Sequence, residues 1–176
     1  MTAMQDFRQE QRGVAWAMAG ALVLTICIMG LALTMDRSAA APFVSRLQFA
    51  IRIDLLVVVW LAAGIANVAR LRFFSESDIA GSGAGSGSDK VRVAGAILQN
   101  TFEQAGLAVA AHLIVAASFN RSDALVAALA CLFAVGRLLF WLGYRHGAKG
   151  RAFGFALTFY PSVLALLASA AVITFG

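Results

Sequence analysis

Residues 91–119 read VRVAGAILQNTFEQAGLAVAAHLIVAASF, and how this stretch is housed decides the fold. As a helix rising about 1.5 Å per residue it spans a hydrocarbon core of about 30 Å. Near its middle, however, stand Gln99, Asn100, Glu103 and Gln104. A carboxylate at that depth costs a few kcal/mol or more, so it faces protein or a wet cavity and takes a partner. The purpose of Glu103 and Asn100 is therefore the central functional question.

The rest of the chain agrees with a membrane reading. Hydrophobic residues make up 61% of the 176 and charged ones 13%, more apolar surface than a soluble domain of this length can hide. Five apolar segments suit spanning helices, at about 14–35, 49–68, 91–119, 124–144 and 152–175. Only helices and closed barrels satisfy the backbone in lipid, and no ten-residue alternation suggests a barrel. The expected fold class is an all-α integral membrane protein with the lipid bilayer as its first partner.

Residues 14–35 follow Arg8 and Arg12, and Ala39-Ala40-Ala41 imitates a cleavage site, but the apolar run exceeds a signal core. An uncleaved helix is expected. Residues 80–88 are a Gly/Ser/Ala tether by composition. Residues 120–123 are so short a link that the flanking spans should be antiparallel neighbours.

The net charge of +5 calls for no nucleic-acid partner, because the cations gather at span ends. Arg8, Arg12, Arg70, Arg72, Lys90, Arg92, Arg145, Lys149 and Arg151 fall on one side, and Arg37, Arg46, Arg52 and Arg121 on the other. This asymmetry puts the N-terminus in the cytoplasm and the C-terminus outside, in what is expected to be a bacterial inner membrane. Cys27 and Cys131 read as packing residues, and no metal-ligand spacing exists.

Asn100 and Glu103, three residues apart, lie on one side of a helix. By helical rise from Arg92 they sit about 12 and 16 Å inward. Arg137, the one charge inside 124–144, lies about 12 Å inward from Arg145, so opposite charges can meet between neighbouring helices. One reading is interhelical glue. The other is a pocket for a small anionic ligand, with Tyr144, His146, Lys149 and Arg151 beside its mouth. His112 reads as an interfacial polar residue, and Asp54 with Arg52 as end-of-helix anchoring.

Asn100-x-x-Glu103 on one span, Arg137-Leu-Leu-Phe-Trp-Leu-Gly143-Tyr144 closing the next, and Arg151 seven residues beyond Tyr144 together resemble the MAPEG family. These are the membrane-associated proteins in eicosanoid and glutathione metabolism. The resemblance divides the chain at residue 48. Residues 49–176 would be a MAPEG-like four-helix domain, and 1–48 would carry an extra N-terminal transmembrane helix, giving five spans and a homotrimer. It implies glutathione as co-substrate, bound between subunits near the cytoplasmic face, and a small hydrophobic substrate. Asn100, Glu103, Arg137 and Tyr144 would bind glutathione, and Arg151 would be the catalytic residue that stabilises its thiolate. Two positions depart from the family pattern: Ala96 stands where many members carry arginine, and Phe140 where many carry tyrosine. Arg92, one turn outward, is the candidate substitute for the missing cation.

Three functions follow: a glutathione transferase or peroxidase, a scaffold that has lost the chemistry, and a small transporter using Glu103. A single intramembrane acid without paired repeats favours the last least.

Overall fold

The computed structural model describes residues 3–36, 40–81 and 87–176. Arg37, Ala39 and residues 82–86 of the expected tether lie outside the described residues. The chain forms α1 (Ala3–Met35), α2 (Phe43–Ile53), α3 (Leu55–Phe73), α4 (Asp89–Ser118), α5 (Asp123–Gly143) and α6 (Gly147–Phe175), with a 3-10 turn at Tyr144–His146.

Among the described residues four helical segments are long and apolar enough to cross a membrane: Gln5–Met35, Phe43–Phe73, Asp89–Ser118 and Asp123–Phe175. This corrects the expected five spans with an extra N-terminal helix; the architecture is an all-α bundle of four membrane-spanning segments. The physical reason lies at residues 144–146. The last two expected segments are joined through the 3-10 turn without a coil residue, and together form one 53-residue helical segment folded back on itself. Helix α1 is the first of the four segments.

The fold-back depends on glycine. Gly147 closes the turn at φ +76°, a conformation costly for any residue with a Cβ. A Cβ at Gly143 would lie 2.1 Å from the Gly150 carbonyl oxygen, and one at Gly154 2.3 Å from the Phe140 nitrogen. The two arms therefore meet backbone to backbone, the close approach that small residues permit in membranes. Helix α1 packs chiefly on α6 and then on α5, while α4 packs on α3, α6, α2 and α5.

Asp54 separates α2 from α3 and is buried against α4. Its Oδ1 lies 2.5 Å from His112 Nδ1, and His112 is 1% exposed. The pair thus ties the α2–α3 junction to the α4 core, a contact that the separate readings of an interfacial histidine and an end-of-helix anchor did not include. Nearby, Arg46 is buried, donating from Nε to the Ala116 carbonyl at 2.9 Å and from Nη1 to the Ala41 carbonyl. Both cysteines lie on the outer surface of the bundle.

Between α3 and α4 the chain turns through Asp78. The Ser75 hydroxyl donates to its Oδ2 at 2.7 Å, and the Ser88 amide, at the start of α4, donates to Oδ1 at 2.8 Å. The Ser75 hydroxyl foremost, then the Ser88 hydroxyl and amide, hold the Asp78 carboxyl below the usual carboxylate range.

Candidate functional site

The inward stripe of α4 is Ala94, Ile97, Thr101, Gln104, Ala108, Ala111 and Val115, repeating at three and four residues. Asn100 borders this stripe and turns toward α5. Its Oδ1 accepts from Arg137 Nη1 at 2.9 Å. Arg137 is 1% exposed, and its Nη2 donates to the Thr158 hydroxyl on α6 at 2.6 Å. Its guanidinium carbon stands 4.5 Å from the Phe140 ring centroid and 5.8 Å from that of Phe133. Asn100, Arg137 and Thr158 thus join three helices.

That cluster lacks two things. Among the described residues no carboxylate pairs with Arg137, and its Nε, like Gln104 Oε1, is buried without a hydrogen-bond partner. An unpaired buried cation is expensive, so an anion nearby would be strongly favoured.

Such a place adjoins it. A cavity of about 370 Å³ is lined by Val14, Met18, Ala96, Asn100, Phe140, Tyr144, Ala148, Arg151, Ala152 and Phe155. This size suits a small-molecule ligand, for which pockets of about 300–1,000 Å³ are usual. Ala148, Arg151, Ala152 and Phe155 follow one another at helical spacing along α6 and present one face to it. Arg151 is half-buried, with its guanidinium carbon 4.6 Å from the Tyr144 ring centroid. That cation–π contact orients the guanidinium without neutralising it. Asn100 spends its oxygen on Arg137, which leaves its amide nitrogen able to donate toward a ligand.

Of the residues expected to form the site, Asn100, Tyr144 and Arg151 line one cavity, and Arg137 lies behind it, bonded to Asn100. Glu103 does not join them. It is exposed on the outer face of α4 and accepts from Gln99 Nε2 at 3.0 Å, so Arg137 meets Asn100 rather than Glu103. Arg92 is also outside, exposed and paired with Asp89. It does not replace the cation missing at Ala96, which lines the cavity together with Phe140. Sequence reasoning missed Thr158, Val14 and Met18. Among the described residues no group of three or more His, Cys, Asp or Glu could hold a metal ion.

Glutathione carries a thiol, two carboxylates and an ammonium. Against these groups the cavity offers Arg151, a cation without a carboxylate partner among the described residues, with the Asn100 amide and the Tyr144 phenol beside it. No carboxylate lines the cavity to receive the ammonium.

The family model described as MAPEG family matches residues 49–171, most of the chain. No curated protein and no solved structure matches.

Proposed function

The chain belongs to the MAPEG family, and from that membership we propose a membrane-bound glutathione transferase or peroxidase acting on hydrophobic electrophiles. The observation that carries the reading is the cavity joining Arg151, Tyr144 and Asn100, with the unneutralised Arg137 behind it. Arg151 would hold the sulfur of glutathione. A cation beside a thiol favours the thiolate, which is the nucleophile. Tyr144 fixes the guanidinium from below, and Asn100, held by Arg137, offers its amide to the peptide. Arg137 adds a second positive charge from a region water does not reach, where its field is weakly screened.

We further propose a homotrimer. Glu103 lies on the outer face of a membrane-spanning helix, where a carboxylate needs protein or water around it. Gly106 and Ala110 are exposed beside it, a small-residue surface suited to another helix. A neighbouring copy would house Glu103 and bring it toward the ammonium of bound glutathione. We place the end of the bundle bearing Arg8, Arg12, Arg145, Lys149 and Arg151 in the cytoplasm of a bacterial cell, with the C-terminus opposite, on the strength of its basic residues.

A second reading, a scaffold without chemistry, is favoured by Ala96 and Phe140, which replace a cation and a phenol in the cavity wall. Thiolate absorbance separates the two. Saturating glutathione should produce an ultraviolet thiolate band with the wild-type protein and none with Arg151→Ala. A wild-type protein that gives no band is not this enzyme. Glutathione binding with its thiol still protonated would select the scaffold.

A further inference from the structure

Two of the residues lining the cavity, Val14 and Met18, belong to α1, outside the 49–171 that the family model matches. They continue a stripe. Ala21, Thr25 and Met29 follow at helical spacing, and all three are buried against the rest of the bundle. Met18 packs on the edge of the cluster formed by Ala21, Leu132, Ala156 and Leu157. Val14 and Met18 themselves are only half-buried, because the stripe that meets protein below them meets the cavity at their level.

The cavity is divided chemically. Asn100, Tyr144 and Arg151 supply its polar groups, while Val14, Met18 and Phe155 supply apolar ones from α1 and α6. Helix α1 is held on α6 and α5, and α4 forms the facing wall through Ala96 and Asn100. Lys149 reinforces the seating of α1. Its stem lies so close over Gly13 that a Cβ there would fall 2.6 Å from Lys149 Cδ.

We infer that Val14 and Met18 are specificity-determining residues: the apolar part of the second substrate lies against them, so α1 sets the size of hydrophobic group accepted. This rests on the glutathione reading above. The substrate class is an amphiphile with an electrophilic carbon next to an alkyl chain or ring. Its reactive carbon sits at Arg151 and its apolar end at α1. In the conjugation, the glutathione thiol gives its proton to water and the thiolate sulfur forms a C–S bond. The displaced group leaves with the bonding electron pair. Met18 is suited to such a wall because its flexible thioether adapts to different apolar shapes.

The test uses binding rather than turnover. S-methyl-, S-hexyl- and S-decyl-glutathione are titrated into the full-length protein in detergent by calorimetry, alongside unmodified glutathione. Each methylene buried against the wall should tighten binding about fourfold until the cavity is full. Val14→Phe should shorten the chain length at which this gain stops. Met18→Ala should lower the S-hexyl to S-methyl affinity ratio by about tenfold, the loss expected from deleting much of a buried apolar contact. An affinity ratio unchanged in both variants overturns the inference while leaving the glutathione reading standing. A ratio that answers to Phe102→Ala, in the apolar groove between α3 and α4, and not to Met18→Ala also overturns it. If neither glutathione nor any S-alkyl derivative binds, the site reading fails and the inference falls with it.

Discussion

Arg137 can be removed at less cost than one of its partners can. In Arg137→Met two charge-assisted hydrogen bonds disappear, to Asn100 at 2.9 Å and Thr158 at 2.6 Å. At about 1.5–3 kcal/mol each, the loss is about 3–6 kcal/mol. Against this, a buried ion is no longer desolvated, which returns several kcal/mol, and the orphaned Nε is gone. The two sides nearly cancel, and the net change should stay within about 2 kcal/mol. Thr158→Val behaves differently. It keeps the shape and removes the acceptor, leaving Nη2 unpaired at a site where Thr158 and Arg137 are each 1% exposed. The expected cost is about 2–3 kcal/mol, or about 5–10 °C in Tm for a chain of this size. The double variant should match Arg137→Met, a coupling of about 2 kcal/mol. Unfolding in detergent can be followed through the Trp60–Trp141 pair, whose rings stand 6.0 Å apart at the α3–α5 contact. The reasoning is refuted if Arg137→Met is the more damaging change, or if the two costs simply add.

Three further outcomes follow from the packing. Gly154→Ala should cost about 1–3 kcal/mol because its Cβ meets backbone, whereas Gly95→Ala, with nothing within 4 Å, should be neutral or gain about 0.5–1 kcal/mol; melting temperatures in one detergent compare them. His112→Ala strands the buried Asp54 carboxylate and should cost about 3–5 kcal/mol, with Asp54→Asn/His112→Ala recovering part of it in the same assay. Asp78 has a lowered folded-state pKa, so its stabilisation of the α3–α4 turn is complete above its ordinary value of 3.8 and is lost as pH falls through the lowered one. Proteolysis within residues 74–88 should therefore be constant at neutral pH, quicken in Asp78→Ala, and show no titration above pH 5.

The extents of the apolar helices were legible because burial in lipid demands long unbroken apolar runs. The expected 91–119 and 124–144 appear as Asp89–Ser118 and Asp123–Gly143. Depth reasoning matched levels but not partners. Asn100 and Arg137, each about 12 Å inward by helical rise, do bond to one another, while the expected meeting of opposite charges, Arg137 with Glu103, does not occur. The same reasoning, applied to Asp54 and His112 at the opposite end, would have paired them. What the sequence hid was the facing of α4. Asn100 and Glu103 are about 60° apart around a helix, and the edge of the packed stripe runs between them. In a water-soluble helix the polar side would mark that edge, but in a membrane the outward side is apolar too, so Phe102 is exposed while Gln104 is buried.

The count of spans was misread for a related reason. Gly143, Gly147 and Gly150 mark a turn in composition, yet composition does not reveal that the backbones of Gly143 and Gly150 touch, and this contact, with the positive φ of Gly147, lets one helical segment double back. The doubling carries a functional consequence. It sets Tyr144, at the start of the turn, against Arg151, just beyond it, and it holds α5 and α6 side by side so that α1 packs on both. The cavity exists because Ala96, Ala148 and Ala152 are small where α1, α4 and α6 converge. Larger side chains at those positions would occupy the space between Met18 and α4. The N-terminal helix, which the sequence alone divides from residues 49–176, is by this geometry a wall of the candidate site.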